Sequence, residues 1–277
     1  MKKLPQKIKT VLLTAIMAAL GMITILPFLW MLSSSFKIAS EIFSFPIEWI
    51  PRNGTLANYE TVWNSVYPFG TYYWNSFYIT VITLAGALLV NTMAGYAFAR
   101  IEFKGRNALF LLYLSALMIP NQVTLIPKFF IFNIAGMLDT HLALILPGIF
   151  QVFCVFLMRQ FFMQIPFDYT EAAKIDGANE ATTFIKIILP MAKPAMITCV
   201  ILIFTWTWND YENPLIFLTS KDLYTLTLGL NHFVEEMGTA YGPLMAASLS
   251  SIVLIVIIFL AGQRYFVEGL TSGGVKG

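Results

Sequence analysis

Charge in this chain is confined to short islands, and the runs between them are long. No Asp, Glu, Lys or Arg lies between Lys9 and Lys37, Glu60 and Arg100, Arg106 and Lys128, Asp139 and Arg159, or Glu236 and Arg264. A further apolar run extends from about Pro190 to Asn209, with prolines at its entrance. About 20 apolar residues cross a bilayer as a helix, because a backbone in lipid has to satisfy its own amides and carbonyls. The windows predict six transmembrane helices, over about 11–34, 76–99, 107–130, 140–163, 190–211 and 243–265. The expected fold class is an all-α polytopic membrane protein, a single transmembrane domain over residues 1–277. A soluble domain is excluded: with 58% hydrophobic and 12% charged residues, the chain lacks the charge to cover a water-facing surface.

Sidedness follows from Lys and Arg. With the N terminus in the cytoplasm, only Lys37, Arg52, Lys128 and Lys221 of the 17 basic residues fall outside. The positive-inside rule then predicts cytoplasmic N and C termini. The first apolar run resembles a signal peptide, but it is too long for one and lacks an Ala-x-Ala exit, so it reads as an uncleaved anchor. Cys154 and Cys199 sit within apolar runs and read as small buried hydrophobes. His141 and His232 have no partners at metal-ligand spacing, and no basic cluster supports a nucleic-acid partner.

One loop, about 166–189, carries the densest charge between two spans, at Glu171-Ala-Ala-Lys-Ile-Asp-Gly-Ala-Asn-Glu180. Asp168 and Glu171 have the spacing of a capping box for a helix starting at Tyr169. Gly177 supplies a positive φ to end that helix, and a second helical segment through Thr182 to Ile188 leads to Pro190. The expectation is a helix-turn-helix whose small face, Ala172 and Ala173, fits a partner's groove.

These residues carry a resemblance. Glu171-Ala172-Ala173, Asp176-Gly177-Ala178, then Ile187, Leu189 and Pro190 are similar to the EAA loop of bacterial ABC-importer permeases. Tyr96-Ala-Phe-Ala-Arg100, Gly136-Met-Leu-Asp-Thr140, Trp208-Asn-Asp-Tyr-Glu-Asn-Pro214 and the tail from Arg264 resemble the carbohydrate-importing, MalG-like branch. The resemblance implies a non-enzymatic, multi-pass subunit of the cell membrane forming half of a sugar translocation pathway. It implies as partners a second, different (MalF-like) permease, two ATPase subunits and an extracellular solute-binding protein, besides membrane lipid. The EAA loop, through Glu171, Ala172, Ala173, Asp176, Gly177 and Ala178, would couple to the ATPases. Gly238, Thr239, Ala240 and Tyr241 would meet the binding protein; an ordinary connecting loop explains them equally. No G-x-x-x-x-G-K-[ST] loop occurs in this chain, so it is expected to hold no cofactor itself, with ATP and magnesium bound by the partner ATPases.

Polar and aromatic residues in the spans are the pathway candidates. Asn121 and Gln122 follow Pro120, and a proline break frees backbone carbonyls that membranes tolerate only at a cavity. Trp206, Trp208, Asn209 and Tyr211 offer amides for sugar hydroxyls and flat faces for sugar C–H groups, although an interfacial aromatic belt uses the same residues. Asn91, among Ala87, Ala94 and Gly95, reads as a helix-packing tie rather than a pathway residue. Two alternatives remain open. An ABC permease for glycerol phosphate needs cations facing the pathway, and none is evident. A secondary carrier needs an intramembrane acid, and Asp210 and Glu212, at the outer rim, are the nearest.

Overall fold

The computed structural model describes residues 6–64, 68–235 and 240–272, and within them every regular element is helical. In order these are α1 (Gln6–Ser35), α2 (Ala39–Ile42), α3 (Ala57–Asn64), α4 (Phe69–Arg100), α5 (Arg106–Ser115), α6 (Asn121–Ile134), α7 (Leu142–Ile149), α8 (Val152–Gln164) and α9 (Asp168–Ile175). They continue with α10 (Glu180–Thr183), α11 (Leu189–Met191), α12 (Lys193–Trp208), α13 (Glu212–Phe217), α14 (Leu226–Glu235) and α15 (Tyr241–Ser272). Among the described residues, four stretches are long and apolar enough to span a membrane, six if two sharply bent helix pairs each count as one. The fold is all-α, with membrane-spanning helices.

Two compact units are built from these helices, Met1–Pro68 with Leu230–Ile252, and Phe69–Gly229 with Val253–Gly277. In the first, α1 keeps its apolar side chains exposed along most of its length. Its last carbonyl and one just past its end share a partner: Asn58 Nδ2 donates to the carbonyls of Ser35 and Lys37 at 2.9 and 2.8 Å. Such side-chain donors satisfy acceptors that a helix C terminus leaves open. Lys37 is fully buried, its Nζ donating to the Glu48 carbonyl and lying 4.3 Å from the centre of the Trp30 ring.

In the second unit α4 is the central post, packed along α7, α8 and α12. Ala87, Tyr96, Ala99, Met158, Phe162, Ile188, Ala195 and Ile203 form its core, with Cys154 and Cys199 buried as free thiols. The α4–α8 crossing is close because residue 95 is glycine; a Cβ there would stand 2.7 Å from Met158 Cβ and 3.1 Å from the Arg159 amide nitrogen. Helices in lipid gain little from the hydrophobic effect and rely on such small-residue contacts. Gly95→Leu should therefore destabilise the fold by at least the roughly 1–3 kcal/mol typical of overpacking. Thermal unfolding in detergent checks it, with Gly21→Leu as control, since a side chain at 21 meets open space.

Two runs read from sequence as single spans are broken. The run over 107–130 is α5, a short 3₁₀ turn (Ala116–Met118) and α6, bent by 99°. Pro120 sits at the start of α6 and forces the preceding Ile119 into extended backbone. In the run over 190–211, Pro190 and Met191 still belong to the segment Glu180–Met191, and α12 starts at Lys193, bent by 79° from it. A third interruption, at Phe150 and Gln151, separates α7 from α8.

Candidate functional site

The loop between α8 and α12 folds as two helical limbs. α9 opens on the backbone of Phe167, whose carbonyl accepts from the amides of Thr170 and Glu171 at 2.8 and 3.1 Å. Asp168 is already inside the helix and caps nothing, so the expected capping box does not form. Asp168 and Glu171 instead place negative charge in the first turn, where the helix dipole favours it. The other end of α9 follows expectation: Gly177 has φ +80°, Ala178 N–H donates to the Ala173 carbonyl at 2.9 Å and Gly177 N–H to that of Lys174 at 3.1 Å. This double bond pattern is the Schellman stop that glycine permits. Asn179 then caps α10, its side chain accepting from Thr182 N–H at 2.8 Å. A π-helical turn, Phe184–Ile188, leads from α10 into α11.

The two limbs are zipped by Lys174 and Glu180, 3.0 Å apart, and these partners hold the Glu180 carboxyl below its ordinary range. The small face expected at Ala172 and Ala173 is not one face. Neighbours on a helix point about 100° apart, and Ala173 is buried within the chain while Ala172 is exposed. The exposed surface includes Glu171, Ala172, Lys174, Ile175 (86% exposed), Asp176 and Gly177, with Ala178 half-buried.

A cavity of about 730 Å³ lies within the second unit. Two of the three helix interruptions line it, Ala116, Leu117, Ile119 and Asn121 at the first and Pro147, Gly148, Phe150 and Gln151 at the second of these; Thr207 at the end of α12 and Asp210 and Asn213 after it complete the wall. Irregular backbone at membrane depth is tolerated where it borders such a cavity. Asn91 serves the second break, donating to the Ile149 carbonyl at 3.1 Å and accepting from Gln151 N–H at 3.3 Å. It is a buried tie, as its small neighbours suggested. Near the break between α6 and α7, Asp139 accepts from the amides of Thr219 and Ser220 at 2.9 and 2.8 Å and from the Ser220 hydroxyl. Those donors, the Ser220 hydroxyl foremost, pull its carboxyl down to about 2.

Of the expected pathway residues, the cavity gathers two. Asn121 and Trp206 line it, Trp206 edge-on to Phe153 with ring centres 6.1 Å apart. Trp208 is buried instead, stacked on Phe204 at 5.4 Å and edge-on to Tyr73 at 5.3 Å. Asn209 is exposed and turns its amide back to the Thr205 carbonyl at 2.9 Å. Gln122 points to the Glu212 carboxylate at 3.1 Å, and Tyr211 is half-buried off the cavity wall. Lys128 and Asp210 were missed. Lys128 lines the cavity with its Nζ on Asn121 Oδ1 at 2.9 Å, so a cation does face it. Lys128 lies seven residues after Asn121 in the same helix, a two-turn spacing that puts both on one face. Of the residues expected to meet a binding protein, Gly238 and Thr239 lie outside the described residues. Ala240 is half-buried, and Tyr241 packs edge-on against Phe43 with ring centres 4.7 Å apart.

Residues 91–271 match the family described as binding-protein-dependent transport system inner membrane component. Over its whole length the chain is similar to the arabinooligosaccharides transport system permease protein AraQ of Halalkalibacterium halodurans, 37% identical over 279 residues and covering 100% of both chains. It is 35% identical over 267 residues to the galactooligosaccharides transport system permease protein GanQ of Bacillus subtilis, covering 95% of this chain and 94% of that one. In fold it matches a chain of a bacterial ABC transporter involved in the import of the acidic polysaccharide alginate, with a TM-score of 0.85 over 96% of this chain and 99% of the other, at 22% identity.

Proposed function

The chain belongs to the family of binding-protein-dependent transport system inner membrane components, and on that premise we propose that it forms one half of the translocation pathway of an ATP-driven sugar or oligosaccharide importer. The full-length similarity to arabino- and galactooligosaccharide permeases carries the substrate class. The cavity agrees in kind: Asn121, Thr124, Gln151 and Asn213 offer hydrogen bonds, while Phe150, Phe153 and Trp206 offer flat faces. Its partners in this reading are a second, different permease, two ATPase subunits that bind ATP and magnesium, and an extracellular solute-binding protein. The loop around Glu171 to Gly177 meets an ATPase.

The glycerol-phosphate alternative gains Lys128, but Asp210 lines the same cavity and offsets its charge, so the site suits a neutral substrate better. A secondary carrier coupled through Asp210 is separated by energetics. In cells expressing the importer, uptake of labelled oligosaccharides should stop on ATP depletion and be indifferent to a protonophore at constant ATP. Loss of uptake under the protonophore alone would overturn the reading in favour of ion coupling.

In this proposal both termini are cytoplasmic and the host membrane is the plasma membrane. Cys154 and Cys199 are buried, which keeps background labelling low. A single added cysteine at Gly54 should react with an impermeant thiol reagent in intact cells, and one at Lys104 should react only after permeabilisation. Both positions are exposed, so the reverse pattern would invert the topology.

A further inference from the structure

Arg100 closes α4, yet its guanidinium works elsewhere. It is 8% exposed and donates to the Phe162 carbonyl through Nε (3.1 Å) and Nη2 (2.8 Å), to the Ile165 carbonyl through Nη2, and to Thr170 Oγ1 (3.3 Å) and the Pro166 carbonyl (3.5 Å) through Nη1. The Phe167 ring lies over the same group at 4.3 Å. One guanidinium thus gathers the open carbonyls at the end of α8 and the first turn of α9. Open carbonyls at a helix C terminus favour a cation, and the planar fork of arginine reaches several acceptors where an ammonium is a point charge. Tyr96 stands one turn earlier, on the same face as Arg100 by i, i+4 spacing. Its hydroxyl donates to Glu180 Oε2 at 3.0 Å, and Glu180 opens α10. Lys174 of α9 closes the ring on the other oxygen of Glu180 at 3.0 Å. The last two turns of α4 therefore hold both limbs of the loop, Arg100 the first and Tyr96 the second.

The same helix runs for 32 residues, and about 36 Å from Arg100 it reaches the cavity wall, where it contributes Ser76 and Ile79. There it is tied again: Asn75 Nδ2 donates to the carbonyls of Asp222 and Tyr224 at 2.8 and 3.0 Å, and Ser76 Oγ accepts from Leu226 N–H at 2.8 Å.

We propose that Tyr96 and Arg100 are positioning residues that clamp the loop to α4, so that a displacement of the loop is delivered along α4 to the cavity. The proposal rests on the reading of that loop as the ATPase contact. A merely structural clamp would affect recovery of the complex; a transmitting clamp changes how much ATP is spent per sugar moved.

The test uses the intact importer, purified through a tag on this chain and reconstituted in proteoliposomes with its binding protein. Tyr96→Phe removes one hydroxyl and leaves the ring, so it should assemble normally. It is expected to raise ATP hydrolysed per sugar transported about fivefold, the equivalent of one lost hydrogen bond. Glu180→Ala removes the same bond together with the Lys174 ion pair, so its effect should be at least as large, and the double variant should be no worse than Glu180→Ala alone, because the Tyr96 bond is then already gone. Arg100→Lys, which keeps the charge and loses the fork, should also raise the ratio. Gly177→Pro runs alongside as the probe of the loop itself. Tyr96→Phe and Glu180→Ala at the wild-type ratio, or with effects that multiply, would overturn the clamp if Gly177→Pro still uncouples. If Gly177→Pro also transports normally, the ATPase-contact reading fails first and takes the clamp with it.

Discussion

Gly177→Pro is expected to abolish uptake while the complex still assembles and still hydrolyses ATP. The native φ at this position is +80°, a region closed to proline, whose ring holds φ near −65°. The substitution also deletes the N–H that donates to the Lys174 carbonyl, so the turn between α9 and α10 loses its geometry and one of its two closing bonds. A conflict of this kind costs about 3 kcal/mol or more, enough to rebuild a short exposed turn. No residue of that turn, 176–179, belongs to the core of the second unit. The damage should therefore appear as hydrolysis without transport, not as lost protein. Glu171→Lys is a gentler probe at an exposed site. Its intramolecular cost is the dipole interaction of about 0.3–1 kcal/mol, so a larger loss of coupling would measure the contact with a partner. Ile175→Asp probes the same surface, since an apolar side chain 86% exposed in this chain has little packing to lose. Wild-type uptake by the Gly177→Pro variant, at normal expression, would sink the coupling role of the loop.

The parts of the fold that depend on composition were legible in sequence, because lipid imposes a composition on every segment that crosses it. Gaps between Lys9 and Lys37 or between Glu236 and Arg264 coincide with α1 and α15 for that reason. Gly177 was legible because few residues tolerate its backbone. What sequence could not show is which side of a helix a residue occupies, and there the errors share one cause. Ala172 and Ala173, Asn121 and Gln122, Trp206 and Trp208 were each taken as pairs, yet residues one or two apart do not share a helix face. In each pair the structure separates the two: one member is exposed or lines the cavity, and the other is buried or engaged elsewhere. Asn209 failed differently. Sitting just past the end of α12, it bonds its own helix four residues back, at Thr205. Lys128 and Asp210 were placed on the outer side and at the outer rim because charges mark the ends of apolar windows. A bent helix pair and an interrupted chain bring both to the cavity.

That division of each pair is what makes the cavity testable. Asn121→Leu and Lys128→Met should each cut uptake severalfold to about tenfold, since one lost hydrogen bond is worth about 0.5–1.5 kcal/mol. Trp206→Ala should lose uptake as well, by removing a flat face that Phe153 supports edge-on. Gln122→Leu and Asn209→Leu, one residue away from Asn121 or at the far side of α12's end, should stay near wild type, because their amides are bound to Glu212 and Thr205 outside the cavity lining. Trp208→Ala separates packing from passage: its ring is buried against Phe204 and Tyr73, so its loss should reduce recovery of folded protein, with transport per recovered complex preserved. Uptake and recovery measured on the same membranes distinguish these outcomes. Equal loss of uptake from Asn209→Leu and Asn121→Leu, at equal recovery, would show that the substrate takes a route other than this cavity. A loss confined to recovery in the Asn121 and Lys128 variants would mean that their bond ties helix α6 to itself and meets no sugar.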